Sequence, residues 1–107
     1  MPADLKGLAA LPCLGPASAR MLIEAGIETP TQLKKLGAAN AYRKLRFAFG
    51  KKAGAPYIYA LDNAIRGISW RSFTEERMNE LKPLALQIQV ELEGASPTPT
   101  PRAKKKG

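Results

Sequence analysis

A short turn bounded by proline and glycine leads directly into a helix near the start of this chain. The turn reads Leu11-Pro12-Cys13-Leu14-Gly15, and Pro16 follows it. Proline suits the first position of a helix, because its φ is already helical and its missing N–H needs no partner there. Gly15 allows a sharp bend and a close approach of the backbone to another surface. Such a turn directs backbone N–H groups and a helix N-terminus outward together, which is chemistry suited to binding a phosphate.

This unit is similar to a helix-hairpin-helix motif, whose hairpin usually reads glycine, apolar residue, glycine. Here the hairpin reads Cys13-Leu14-Gly15, so the first glycine is replaced. Many such hairpins only pack helices together, and two interpretations therefore stay open, a phosphate contact and a purely structural turn. Under the first interpretation, the candidate DNA contacts at the hairpin are Leu14, Gly15, Ser18 and Arg20.

A run of basic residues forms the second candidate site. Between positions 34 and 52 it contains no acidic residue. We expect two helix faces and a loop to merge these residues into one patch beside the hairpin, where each phosphate contact adds salt-dependent affinity without sequence preference. The alternative is a solvated face that keeps a small protein soluble. The residues are Lys34, Lys35, Arg43, Lys44, Arg46, Lys51 and Lys52, and Arg43, Lys44 and Arg46 are expected to lie off the apolar stripe of their helix.

Several classes of site are excluded by composition. The chain has one cysteine and no histidine, which excludes an intrachain disulfide, a zinc site of cysteine and histidine, and catalysis by serine–histidine or cysteine–histidine pairs. Cys13 is expected to be a small buried hydrophobe. No nucleophile–base pair, metal-ligand set or nucleotide-binding loop is found, so we expect no enzyme activity, no cofactor and no metal. No signal peptide or membrane-spanning segment is found either, which predicts a cytoplasmic protein.

The composition and the helix signals predict an all-α fold. Alanine, leucine, lysine, arginine and glutamate dominate, and valine is nearly absent. Proline and glycine mark helix ends: helices are expected from Pro16 to Ala25, from Pro30 to Leu36, from Ala38 to Phe49, and from Pro56 to Gly67. Ser72-Phe73-Thr74-Glu75 matches a capping box that opens a last helix, which Pro83 would kink or break. We predict a small compact bundle of five or six short helices with a helix-hairpin-helix-like unit at its N-terminus.

Residues 1–93 are predicted to form one helical domain, and residues 94–107 a disordered tail rich in proline, threonine and lysine. The tail carries Arg102, Lys104, Lys105 and Lys106, and the whole chain has a formal net charge of +8. This charge suits nucleic acid or another polyanion as a partner. The lysines of the tail are interpreted either as a nonspecific contribution to that affinity or as a solubilising segment.

The aromatic residues have two interpretations. Tyr42, Tyr57, Tyr59 and Trp70 could stack on bases, but their helical spacing with leucine and alanine favours a place in the core. Trp70 in particular follows the cleanest apolar stripe of the chain. We therefore expect it to be buried, and Trp70→Ala to unfold the domain or nearly so.

A series of segments in a fixed order resembles the C-terminal domain of the TfoX family of competence (DNA-transformation) regulators. The resemblance covers about residues 5 to 82. The segments that carry it are Leu11-Pro12-Cys13-Leu14-Gly15-Pro16, residues 21–27, residues 33–38, Ala41-Tyr42-Arg43-Lys44-Leu45, and residues 59–70, which run from Tyr59-Ala60-Leu61 to Gly67-Ile68-Ser69-Trp70. It implies a helical fold related to helix-hairpin-helix domains. It also implies regulation of DNA-uptake genes, in which full-length members are thought to act with the cyclic-AMP receptor protein.

The chain departs from the family pattern at two points. Family regulators carry an additional N-terminal domain, for which this sequence has no room, so a stand-alone C-terminal domain is expected. The family block often has Glu-Gly where this chain has Asp62-Asn63.

Together these observations favour a non-enzymatic regulatory or accessory protein. We expect weak, salt-dependent contact with DNA, or contact with a DNA-bound transcription factor such as a cyclic-AMP receptor protein. The alternative is a protein-interaction module with no DNA affinity, which uses an apolar groove near the last helix.

Overall fold

The computed structural model of the protein describes residues 3–94, and every regular element in that range is helical. One-turn 3-10 helices at Gly50–Lys52 and Trp70–Ser72 follow the third and fourth α-helices. The predicted all-α bundle is confirmed. The predicted tail, apart from Gly94, lies outside the described residues. The α-helices are α1 (Leu5–Ala9), α2 (Pro16–Glu24), α3 (Pro30–Phe49), α4 (Pro56–Arg66) and α5 (Glu75–Gly94).

Side-chain caps start three of the helices. Asp4 caps α1 and Thr29 caps α3, each by accepting a hydrogen bond from a backbone N–H three residues ahead. At α5 the cap is Thr74, whose Oγ1 accepts from the backbone N–H of Arg77 at 3.1 Å. The predicted capping box starting at Ser72 was therefore wrong by two residues, because Ser72 belongs to the preceding 3-10 turn.

Left-handed glycines separate the helical segments where the sequence predicts. Gly67 adopts φ 71° and ψ 31° just after α4. Gly37 adopts φ 81° and ψ 164° inside α3, and so divides this helix into the two predicted segments. A side chain is strained at such angles, which is why glycine stands at both positions. Pro83 does not break α5, because the buried side chains of Leu81 and Ala85 hold the helix to the core on both sides of it.

The core joins all five helices and is built from leucine, isoleucine, alanine and one tyrosine. Its largest fully buried side chains are Leu8, Leu22, Ile27, Leu33, Tyr42, Leu45, Ile58, Leu61 and Ile88, with Asn63 among them. The Tyr42 hydroxyl donates to the carbonyl oxygen of Ala53 at 2.8 Å and accepts from Nε2 of Gln89 at 3.0 Å. Tyr42 thus connects α3 to α5 and to the segment before α4.

Trp70 is not part of the core, and that prediction was wrong. Its side chain is 51% exposed. The chain leaves α4 at Gly67 and carries the indole back over the outer side of this helix, where it lines a small notch with Pro56, Tyr57 and Ala60. Trp70→Ala is therefore expected to leave the domain folded.

A buried carboxylate ties α4 to α5. The side chain of Asp62 accepts hydrogen bonds from Arg77 at 2.7 and 3.0 Å and from Arg66 at 3.2 Å. Arg77 also donates to Glu80 at 3.1 Å. Burial alone would raise the pKa of the Asp62 carboxyl, but the hydrogen bonds and positive charges of Arg77 and Arg66 outweigh it, so the pKa lies below its ordinary value of 3.8.

We predict that Asp62→Asn lowers the free energy of unfolding by about 1–2 kcal/mol at neutral pH, because two partly exposed arginines lose a charged acceptor. Since folding lowers the pKa of Asp62, its carboxylate stabilises the fold above pH 3.8, and this contribution is lost as the pH falls further. Urea unfolding of the parent and the variant at a series of pH values measures the difference, which should shrink below that pH.

Asp4→Asn is the matched control, since asparagine caps a helix as well as aspartate does. A stability difference between Asp62→Asn and the parent that stays constant into strong acid contradicts the assignment.

Candidate nucleic-acid interface

The hairpin between α1 and α2 presents backbone rather than side chains. Gly15 is the N-cap of α2 and has no side chain to accept from the first N–H groups of the helix, those of Ala17 and Ser18. Its backbone is extended, at φ −124° and ψ −175°, and a Cβ added there would meet nothing within 4 Å. The N-terminus of α2 is therefore open to an approaching anion.

The strained residue of the hairpin is Cys13, which stands where the motif usually has its first glycine. It has φ 67° and is the only non-glycine residue with positive φ among the described residues. This conformation costs an ordinary residue about 1–2 kcal/mol. The backbone at position 13 thus keeps the shape that glycine would adopt, although glycine is absent.

The Cys13 side chain ties the hairpin to the end of α4. Its Sγ accepts from Nδ2 of Asn63 at 3.5 Å and donates to the carbonyl oxygen of Ile68 at 3.9 Å. Asn63 is fully buried, and its Oδ1 has no partner among the described residues. Cys13 is half-buried, so the expected buried thiol is only partly realised. Cys13 replaces the first glycine of the helix-hairpin-helix motif and Asn63 the glycine that the family block often has, and only the structure shows that they touch.

The other predicted hairpin residues differ in access. The Leu14 side chain is buried, so only its backbone faces outward. Ser18 is half-buried, and Arg20 is exposed on α2.

The basic residues between positions 34 and 52, on α3 and the 3-10 turn that follows it, divide into two groups. Five are exposed and form no ion pair within residues 3–94. Arg46 is buried and donates a hydrogen bond to the carbonyl oxygen of Ala53 at 3.1 Å. Arg43 forms a bidentate ion pair with the carboxylate of Glu91, with N···O distances of 2.8 and 3.2 Å. The prediction that Arg46 lies off the packing face was wrong, because its guanidinium is buried against Ala53, whereas Arg43 is partly exposed and pairs with Glu91 at the surface. The five exposed residues are Lys34, Lys35, Lys44, Lys51 and Lys52, named below the lysine face.

Lys44, in the middle of the lysine face, does not lie beside the hairpin as expected. Lys44 lies beside Glu24 and Ala25, at the C-terminal end of α2. The hairpin lies at the N-terminal end of the same helix, whose nine residues span about 13 Å. Lys44 and the hairpin therefore lie at opposite ends of α2.

An apolar groove of about 690 Å³ lies where α3 passes the ends of α2 and α5. Phe47, on its wall, is 82% exposed, which is unusual for so large an apolar side chain. The groove matches the apolar groove considered near the last helix. It is lined by Glu24, Ala25, Leu36, Asn40, Arg43, Lys44, Phe47, Ala48 and Leu92.

Two kinds of feature are missing from the part of the chain that the structure describes. No cluster of histidine, cysteine, aspartate or glutamate there could hold a metal ion. No helix in the same range is long and apolar enough to cross a membrane.

Comparison with known proteins gives a family and two similar crystal structures. The family described as the TfoX C-terminal domain matches residues 5–84. An uncharacterized protein from Listeria monocytogenes, in a triclinic form, is 33% identical with a TM-score of 0.68, over 81% of this chain and 93% of that one. A protein of unknown function from Listeria monocytogenes, in a tetragonal form, is 32% identical with a TM-score of 0.68, over 76% of this chain and 99% of that one. No curated protein matches the chain.

We predict that Cys13→Gly is more stable than Cys13→Ala by about 1 kcal/mol. Both variants lose the sulfur contacts with α4, but only glycine relieves the strain of the left-handed backbone. Denaturant unfolding of the two variants measures the difference. An alanine variant as stable as the glycine variant would mean that the hairpin does not hold this conformation in solution.

Proposed function

Since the chain belongs to the TfoX C-terminal domain family, we propose that it is a non-enzymatic, competence-related regulatory domain that holds DNA by its phosphate backbone. The observation that carries the proposal is the lysine face. Its five ammonium groups are exposed and unpaired within residues 3–94, and no acidic residue interrupts positions 34–52. Such charges contact phosphates without reading sequence.

The hairpin supports the proposal as a second contact. The open N-terminus of α2 carries partial positive charge and N–H donors, and position 15 gives a phosphate room to approach. Lys44 and the hairpin lie near opposite ends of α2, whose length of about 13 Å is shorter than one turn of duplex DNA, at about 34 Å. One duplex can therefore reach both.

We predict that the full chain binds duplex DNA weakly and that the affinity falls steeply with salt. Replacing Lys44, Lys51 and Lys52 by glutamate should reduce the slope of log affinity against log salt by about 3, because each lysine neutralises about one phosphate. Fluorescence anisotropy of labelled duplex at several salt concentrations measures both slopes. The fold should persist, since all three side chains are exposed.

Lys82→Glu, an exposed position on α5 outside the lysine face, is the control for a general change of charge. Gly15→Ala tests the contribution of the hairpin separately from that of the lysines. The added methyl group meets no protein atom there, so it disturbs only a ligand that touches the backbone. The proposal fails if the parent shows no salt-dependent binding, or if the triple variant keeps the slope of the parent.

The apolar groove favours a second candidate function, docking of a protein. Phe47 shares the groove with Leu36, Ala48 and Leu92, and a contiguous apolar surface with a polar rim is typical of a site that another protein covers. The resemblance to competence regulators makes a cyclic-AMP receptor protein the first partner to test.

We predict that Phe47→Ser weakens binding to purified cyclic-AMP receptor protein about tenfold or more, because a large side chain at the centre of an interface contributes most of its energy. Val90→Ser is the matched control, since Val90 is 70% exposed but does not line the groove. Titration calorimetry measures both. Equal affinities for the parent and Phe47→Ser exclude the groove as this docking site.

A further inference from the structure

Trp70 is the single tryptophan of the chain, and its indole is both exposed and held in place. Its ring packs edge-to-face on Phe73, with centroids 5.5 Å apart and an interplanar angle of 84°. Phe73 in turn contacts Tyr59, with centroids 5.4 Å apart. The indole is therefore a fixed aromatic surface of which half faces solvent.

A notch beside the indole has room for one planar ring. It has a volume of about 190 Å³ and is lined by Pro56, Tyr57, Ala60 and Trp70. A cavity of about 150 Å³ is large enough for benzene. The notch thus accommodates a six-membered ring such as a pyrimidine base, with the indole on one side.

The notch lies on the side of the molecule that carries the hairpin. Ile68, two residues before Trp70, contacts Cys13 of the hairpin through its carbonyl oxygen. Tyr57, which lines the notch, donates its hydroxyl to Sδ of Met21 on α2 at 3.4 Å. The notch is thereby fixed relative to the backbone amides that begin α2.

The charge around the indole suits the phosphates that flank a base. Arg71 follows Trp70 directly, is exposed, and forms no ion pair in the part of the chain that the structure describes. The other arginine near the indole in sequence, Arg66, is paired with Asp62, so Arg71 supplies the unpaired charge of this segment. An occupant with a flat ring and adjacent negative charges fits this surface, whereas an apolar side chain of a protein would leave Arg71 unused.

We propose that Trp70 is a stacking platform for an unpaired nucleobase, and that the domain prefers single-stranded DNA over duplex. The inference rests on the proposed function, because it adds a base contact to a surface that holds phosphates. A base within a duplex is stacked and paired, so only an unpaired base can lie flat against the indole.

The single tryptophan makes the test specific. The full chain is titrated at low salt with an oligothymidylate and with duplex DNA of the same length, while intrinsic fluorescence and the anisotropy of labelled DNA are recorded. We expect the single strand to bind more tightly and to quench Trp70, and the duplex to leave its fluorescence nearly unchanged. Trp70→Ala should weaken single-strand binding about fivefold to a hundredfold, as stacking on one base does. It should leave duplex affinity and the salt slope unchanged.

Two variants control for indirect effects. Trp70→Phe keeps an aromatic ring and should retain part of the preference. Val90→Ala shortens an exposed apolar side chain that lines neither the notch nor the apolar groove and should retain all of it. DNA binding without quenching or single-strand preference overturns the stacking site and leaves the proposed function standing. Failure of the parent to bind either DNA overturns the proposed function itself. Quenching of the parent by the single strand, together with an unchanged single-strand affinity of Trp70→Ala, overturns the energetic role of the indole.

Discussion

The carbonyl oxygen of Ala53 accepts hydrogen bonds from Tyr42 and Arg46, and the arrangement of the other elements depends on it. The Tyr42 hydroxyl also accepts from Gln89, so α3, α5 and the segment before α4 meet at one point. Tyr42 and Ala53 are fully buried, and a buried polar group left without a partner costs about 1–3 kcal/mol. Loss of one of these hydrogen bonds therefore disturbs the packing of α3, α5 and the segment before α4 against one another. The turn that carries Lys51 and Lys52 lies between Tyr42 and Ala53, so this contact also holds the end of the lysine face.

The helix ends were predictable because their causes are local. A left-handed glycine at position 37 or 67, and threonine or aspartate as a cap, act within a few residues of the helix end. Arg46 could not be placed this way, although it lies one turn after Tyr42 and so on the same face. Its charge predicts exposure to solvent, whereas tertiary packing brings the carbonyl oxygen of Ala53 close enough to accept a hydrogen bond from the buried guanidinium. The exposure of Trp70 could not be predicted from the apolar stripe of α4. Helical periodicity ends at Gly67 and does not determine the direction of the chain in the next turn.

The candidate site was predictable in its parts but not in its arrangement. The exposed lysines were correctly expected on the outer face, since a lysine rarely buries its ammonium group without a partner. Their distance from the hairpin was not predictable, because it depends on how α2 crosses α3. Arg43 illustrates the same difficulty. Its partner Glu91 lies 48 residues away, and no local pattern links them.

The contact between Cys13 and Asn63 links two replacements that look unrelated in sequence, one in the helix-hairpin-helix motif and one in the family block. Glycine at position 13 would adopt its left-handed φ without strain, but it would leave the hairpin without a side chain to hold α4. Cysteine accepts the strain and supplies a sulfur that contacts Asn63 and the carbonyl oxygen of Ile68. The end of α4 and the turn that leads to Trp70 are thereby fixed to the hairpin. We propose that phosphates bind at the hairpin and that a base stacks on the indole. The contact between Cys13 and Asn63 then sets the distance between these two sites, so the replacement of glycine by Cys13 changes the geometry of the binding surface but does not abolish that surface.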